Sequence, residues 1–160
     1  MNTFDCWLEI DGITGAADGR EHSDVIDVVS FGWAESHPAP IQSGLGAGVS
    51  RVHVDDLEVV SRPGKASPKL MLACASGVHI ATARLTCRTS AEVNAAVLVV
   101  SLSKVVVSRY RLVGTAGGKD SSLTDEIALN FREIRLDYRP GPPENAVSGA
   151  WNVQENREPS

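Results

Sequence analysis

Residues 67–79, Ser-Pro-Lys-Leu-Met-Leu-Ala-Cys-Ala-Ser-Gly-Val-His, carry the one helical signal in a chain that otherwise reads as strands. Ser67 can cap the first turn by accepting an unpaired backbone N–H. Pro68 suits the first helical position, where no N–H is needed. Leu70, Ala73, Cys74 and Gly77 recur at i, i+3, i+4 and i+7 and form one apolar stripe. Gly77 can take the left-handed conformation that closes a helix. A lone short helix must bury its stripe on something, and strands are all the chain offers. The stretch therefore predicts a mainly β fold, a soluble β-barrel with one short α-helix.

The strands on either side of it are read from alternation. Thr3 to Ile10 carries Phe4, Cys6, Leu8 and Ile10 in one phase. Val25 to Glu35 is a second strand, with Val25, Val29, Phe31 and Trp33 on one face. Ile26, Val28, Ser30, Gly32 and Ala34 lie on the other. Val49 to Val60 changes phase at Asp55-Asp56, Ala96 to Val113 changes near Lys104, and Leu123 to Tyr138 changes at Arg132-Glu133. Such slips predict bulges or sharp bends, and repeated on separate long strands they predict a curled barrel more than a flat sheet. Val78 to Arg88 and Ala150 to Val153 complete the strands. Pro38 to Gly48 and Pro140 to Ser148 read as loops, and Gly114 to Lys119 as a glycine-rich turn.

At 160 residues the chain is read as one domain, 1–160, large enough to bury a core. Charged residues at 22% and hydrophobic residues at 42% are ordinary globular values. A net charge of −5, without a basic block, argues against a nucleic-acid partner. Residues 1–11 hold Asp5 and lack the basic start and apolar centre of a secretory signal. The longest apolar run, Ala95 to Leu102, is strand length and far short of the ~18 residues of a membrane helix. The expectation is synthesis in the cytoplasm, no membrane insertion, and export only by a route that needs no signal peptide.

The search for chemistry returns little. Cys6, Cys74 and Cys87 form an odd set with no close pair, and read as small buried hydrophobes in a reducing compartment. His22, His37, His53 and His79 show no metal-ligand spacing. Gly44-Leu-Gly-Ala-Gly48 lacks the phosphate-loop lysine and precedes a strand where a helix would be needed. The pairs Asp55-Asp56 and Asp125-Glu126 point to opposite faces of their strands and read as exposed charge. The alternation Arg132, Glu133, Arg135, Asp137, Arg139 reads as a solvated or subunit-facing edge. Trp7, Trp33 and Trp151 read as core packing. No nucleophile elbow, cofactor motif or metal set stands out, so the chain reads as no enzyme.

Assembled in order, these segments resemble the Hcp family, the tube protein of the bacterial type VI secretion system. The likeness spans essentially the whole chain. It includes Leu8-Glu-Ile-Asp-Gly-Ile-Thr-Gly15, Ile26-Asp-Val-Val-Ser-Phe-Gly-Trp33, the loop Gly44 to Gly48, and Val52-His-Val-Asp-Asp-Leu57. The helical stretch 67–79 is its strongest part. Gly117-Gly-Lys-Asp120, Leu129-Asn-Phe131, Asp137-Tyr-Arg-Pro140 and Trp151-Asn152 continue it. Cys6 and Cys87 match no motif of the family.

The resemblance implies a phage tail-tube-like barrel of two β-sheets with the short α-helix on its side, which assembles into a hexameric ring, with rings stacking into a hollow tube driven outward by a sheath. Implied partners are further copies of the chain, the type VI sheath, tip and baseplate proteins, and small effector proteins chaperoned in the lumen. The protein would be cytoplasmic while assembled and secreted through the type VI machine. On this reading Val29, Phe31 and Trp33 face the barrel core, and Ile26, Val28, Ser30, Gly32 and Ala34 face outward to the lumen or a neighbour, with Ser30, Gly32 and Ala34 the candidate lumen residues. Pro38, Gly44, Gly46 and Gly48, with Gly117, Gly118 and Lys119, mark the two loops expected to stack rings. The residues alone leave one alternative, a monomeric barrel holding a small ligand in its core.

Overall fold

A computed structural model describes residues 3–15, 24–38, 51–89 and 95–160. In chain order these form β1 (Phe4–Ile10), β2 (Ile26–Gly32), β3 (Glu35–Ser36), β4 (His53–Val54), β5 (Leu57–Ser61), α1 (Ala66–Ser76), β6 (Ile80–Thr89), β7 (Val97–Thr115), β8 (Ser122–Arg139) and β9 (Val147–Asn152). A single 3-10 turn, Pro143–Asn145, precedes β9. The antiparallel order is β5-β2-β1-β6-β7-β8, and β5 pairs back onto β8, which closes a six-stranded barrel. β8 is long enough for two partners in succession. Its residues Asp125 to Leu129 pair with β5, and Glu133 to Tyr138 pair with β9, which lies outside the closed ring of strands.

The barrel curls where alternation fails. Buried residues run Ile80, then Ala83; Leu102, then Val105; Phe131, then Ile134. Two successive residues therefore leave the core at Ala81-Thr82, Ser103-Lys104 and Arg132-Glu133. The registers Ile80↔Val105, Thr82↔Ser103 and Ser103↔Glu133, Val105↔Phe131 put these breaks side by side. Lys104 takes a positive φ of 53° there. The expected bends near Lys104 and at Arg132-Glu133 are thus one corner crossing three strands. The expected break at Asp55-Asp56 is also present, as the gap between β4 and β5.

Leu8, Leu57, Val59, Leu85, Leu102, Val105, Val107 and Leu129 are fully buried and fill the interior, with Leu70 of α1 joining them. These side chains form one contiguous hydrophobic cluster. Trp33 and Trp151 pack against that core, whereas Trp7 is half-buried with the Arg88 guanidinium 5.8 Å from its ring centre.

Helix α1 lies against β7 and buries Leu70 and Ala73. Gly77 ends it at φ 63°, and its N–H reaches Ala73 O at 3.1 Å, as the sequence predicts. The start differs. The helix begins at Ala66, its N-cap is Lys65, and no side chain caps it. Ser67 sits inside the first turn instead. Its Oγ accepts the Gly64 N–H at 2.9 Å and donates to Asp125 Oδ2 at 2.5 Å. Pro68 still falls in the first turn, where an N–H has no intrahelical partner.

That bond corrects the reading of Asp125 as exposed charge. Asp125 is 1% exposed and shares the inward phase of Ile127, Leu129 and Phe131, while Glu126 points out to Arg111. The Tyr110 hydroxyl donates to Asp125 Oδ1 at 2.7 Å. Burial, reinforced by this hydrogen bond and the carboxylate's charge, pushes the Tyr110 phenol up to about 12. The network ties the start of α1 to β7 and β8. The cysteine reading needs correction too. Cys6 and Cys87 are directly opposite in the β1–β6 register, 4.2 Å apart at Cα, and are joined as a disulfide; Cys74 is free. Eighty-one positions separate the pair along the chain, so sequence proximity gave no sign of it.

Candidate assembly surface

The surface worth attention is built by strands that leave the barrel. β1 and β2 pair only at Trp7↔Asp27 and Leu8↔Ile26. Beyond this point β2 follows β5, with a register irregularity between Val28 and Ser30. The irregularity turns the strand over. Ile26 is buried and Val28 packs on the core, yet Val29 is 53% and Phe31 40% exposed. The expected placement of Val29 and Phe31 in the core is therefore wrong, and so is the expected outward placement of Ile26 and Val28: even positions face the core ahead of the irregularity, and beyond it Phe31 stays largely uncovered although it pairs with the buried Val59. Trp33 does reach the core, and its Nε1 donates to Asp55 O at 2.9 Å. Ser30, Gly32 and Ala34 are exposed, and a Cβ added at Gly32 would meet nothing within 4 Å. Both faces of the outer half of β2 are bare.

The neighbouring sheet is open at both extremes. Ahead of Trp7, β1 pairs with β6 alone among the described strands, and β9 pairs with β8 alone. The run β1-β6-β7-β8-β9 thus has one edge at β1 and one at β9. Against the β9 edge, Trp33, Leu136, Tyr138, Val147 and Trp151 line an apolar cleft of about 480 Å³. Leu136, Tyr138 and Val147 are exposed large hydrophobics. Bare edges beside apolar side chains invite pairing with another chain.

The expected stacking loops are only partly within view. Pro38 is exposed at the end of a described segment, while Gly44, Gly46 and Gly48 lie outside the described residues. Gly117 and Gly118 shape the turn between β7 and β8 with φ values of 96° and 75°, and Lys119 beside them is exposed. Alternation pointed to Ser30, Gly32 and Ala34 but missed Val29, Phe31, Leu136, Tyr138 and Val147. It marks which residues share a face and says nothing about whether that face meets the core. Among the described residues no group of three His, Cys, Asp or Glu side chains is placed to hold a metal.

These features define a barrel protein whose chemistry lies in its surfaces. Residues 7–138 match the family described as type VI secretion system effector, Hcp. Over 158 residues, 95% of this chain and 96% of the relative, the sequence is 33% identical to protein hcp1 of Pseudomonas aeruginosa. Hcp1 from Salmonella typhimurium has a crystal structure that superposes with a TM-score of 0.78 at 26% identity, covering 99% of this chain and all of that one. A type VI secretion system effector from Yersinia pestis shares the fold with a TM-score of 0.73 at 23% identity, covering 93% of this chain and all of the other. The chain belongs to the Hcp family of type VI secretion system proteins.

Proposed function

We propose that this protein is the repeating subunit of the type VI inner tube. Six copies close into a ring, rings stack, and the tube leaves the cell through the type VI machine, propelled by the sheath with tip and baseplate proteins as further partners. The observation that supports this reading is that, among the described strands, the run β1-β6-β7-β8-β9 has no further strand partner beside the first residues of β1 at one extreme or beside β9 at the other. An edge at each end suits a head-to-tail contact, which closes when the rotation per copy divides the circle. Joining the β9 edge of one copy to the β1 edge of the next would cover both, and with them the apolar cleft at Trp33 and Trp151. Obligate contacts of this kind bury on the order of 2,000 Å² or more.

Ser30, Gly32 and Ala34 are assigned to the lumen wall, where small side chains leave room for small effector proteins. The exposed Val29 and Phe31 on the opposite face are assigned to a neighbouring copy. Stacking is assigned to the Pro38 to Gly48 loop and to the turn at Gly117, Gly118 and Lys119. The acting groups are surfaces, with no role for catalysis, metal or cofactor. Size-exclusion chromatography with light scattering tests the reading. A particle of six times the 17.0 kDa chain mass supports it, and a monodisperse monomer at high concentration overturns it.

A further inference from the structure

The corner where three strands bend together holds a basic cleft that the tube reading does not use. Ala81, Lys104 and Arg132 fall on one rung between the pairs Ile80↔Val105 and Thr82↔Ser103, and between Ser103↔Glu133 and Val105↔Phe131. The Val153 N–H donates to Arg132 O at 2.8 Å and extends the rung past β8. With only a methyl group at Ala81, the bend opens a cleft of about 800 Å³. Arg51, His79, Lys104 and Arg132 all line it, and no Asp or Glu does.

The charges are unbalanced in a way that calls for a ligand. Like charges directly opposite on adjacent strands repel, and Lys104 faces Arg132 across β7 and β8. Neither has a carboxylate partner among the described residues. The Arg132 Nε–H is enclosed and has no acceptor, and a guanidinium donor left so is costly. Arg51 is held at the rim by the Val153 and Gln154 carbonyls at 2.6 and 3.0 Å, which fix its position without cancelling its charge. The adjoining acids are engaged elsewhere. Asp56 accepts from Ser108 and Asn130, and Glu133 accepts from Asn152.

We propose that this cleft binds an oxyanion of the phosphate or carboxylate class, gripped by Arg132 and Lys104 with Arg51 and His79 at the rim. Guanidinium groups pair with such oxygens in a planar, two-point fashion, and the anion would relieve both the Lys104–Arg132 repulsion and the orphaned Nε–H. The oxyanion is either a free ion or a side-chain carboxylate of a second copy of this chain. The free-ion source stands on the single chain alone, whereas the second-copy source rests on the assembly proposed above.

Calorimetric titration of the native particle with inorganic phosphate and with citrate, in low-chloride buffer, tests it. Lys104→Asn is the first variant, because Asn tolerates positive φ; Arg132→Gln is the second. Saturable uptake of one anion per chain, weakened at least ten-fold in both variants with the unfolding midpoint of Lys104→Asn unchanged, supports a free ion. Where the native particle takes up neither probe, Lys104→Glu decides. Loss of particle mass on that substitution supports a neighbour's carboxylate. Unchanged mass without uptake, or uptake that survives both variants, overturns the proposal.

Discussion

Replacing Asp125 by Ala measures how much its buried carboxylate contributes to the fold. Asp125 is 1% exposed and accepts two hydroxyl donors, Ser67 Oγ at 2.5 Å and Tyr110 OH at 2.7 Å. Hydrogen bonds to a charged group contribute roughly 1.5–3 kcal/mol each, so the two together give about 3–6 kcal/mol. The same substitution removes the desolvation penalty of a buried anion, which is of order several kcal/mol. Water reaches the partly exposed Ser67 and Tyr110 and restores part of the loss. The net cost is about 2–3 kcal/mol. At about 2–4 °C per kcal/mol for a chain of this length, Tm falls by about 4–12 °C. The assay is thermal or denaturant unfolding at fixed protomer concentration, since assembly itself shifts Tm. A cycle with Ser67→Ala should be non-additive by about 1 kcal/mol, because losing either partner already breaks their bond. An Asp125→Ala protein within about 0.5 kcal/mol of wild type, or strict additivity with Ser67→Ala, would refute the reasoning.

Three other expectations follow from the same geometry. The Tyr110 phenol lies at about 12 in the fold against an ordinary 10.0, so the fold favours its protonated form. Its stabilising contribution is complete below pH ~10 and disappears as pH rises through about 12. Denaturant unfolding across that window should show a step in wild type that Tyr110→Phe lacks, and a step common to both would contradict it. Cys6→Ser removes a cross-link closing a separation of 81 residues and should cost about 2–4 kcal/mol. Dithiothreitol should lower wild-type stability similarly and leave the variant untouched; equal unfolding midpoints for oxidised and reduced wild type would count against the cross-link. Gly32→Arg projects into open space, so stability should move by less than about 0.5 kcal/mol and particle mass should hold. Copurifying small effector proteins should be lost, and normal cargo in that variant would remove Gly32 from the lumen.

The parts of the fold legible in the sequence are those set by local periodicity. The helix at 67–79, the long strands and the corner at Lys104 and Arg132 each announce themselves as a phase or as a break in one. Its third piece, at Ala81-Thr82, was hidden because small side chains carry no phase. Asp125 stood in the same phase as Ile127, Leu129 and Phe131 but, as a carboxylate, read as outward; its two hydroxyl donors come from distant segments. The Cys6–Cys87 pair depends on antiparallel register between β1 and β6, which neither strand encodes alone. Ser67 has the chemistry of an N-cap, yet it falls within the first turn, where its hydroxyl donates to the long-range acceptor Asp125. For the proposed assembly surface, size and alternation singled out Ser30, Gly32 and Ala34, which the structure leaves exposed. The inward phase of β2 was misread because a bulge at Val28–Ser30, created where β2 leaves β1 for β5, is a tertiary event: Ile26 and Val28 face the core ahead of it and Trp33 beyond it.

Electron micrographs of the purified protein at high concentration test the central claim, that each copy is an unfinished wall completed only by others of its kind. The account predicts annular particles with six-fold symmetry, each copy contributing its β1 and β9 edges to adjacent neighbours. A field of single-chain particles with no annulus would contradict it.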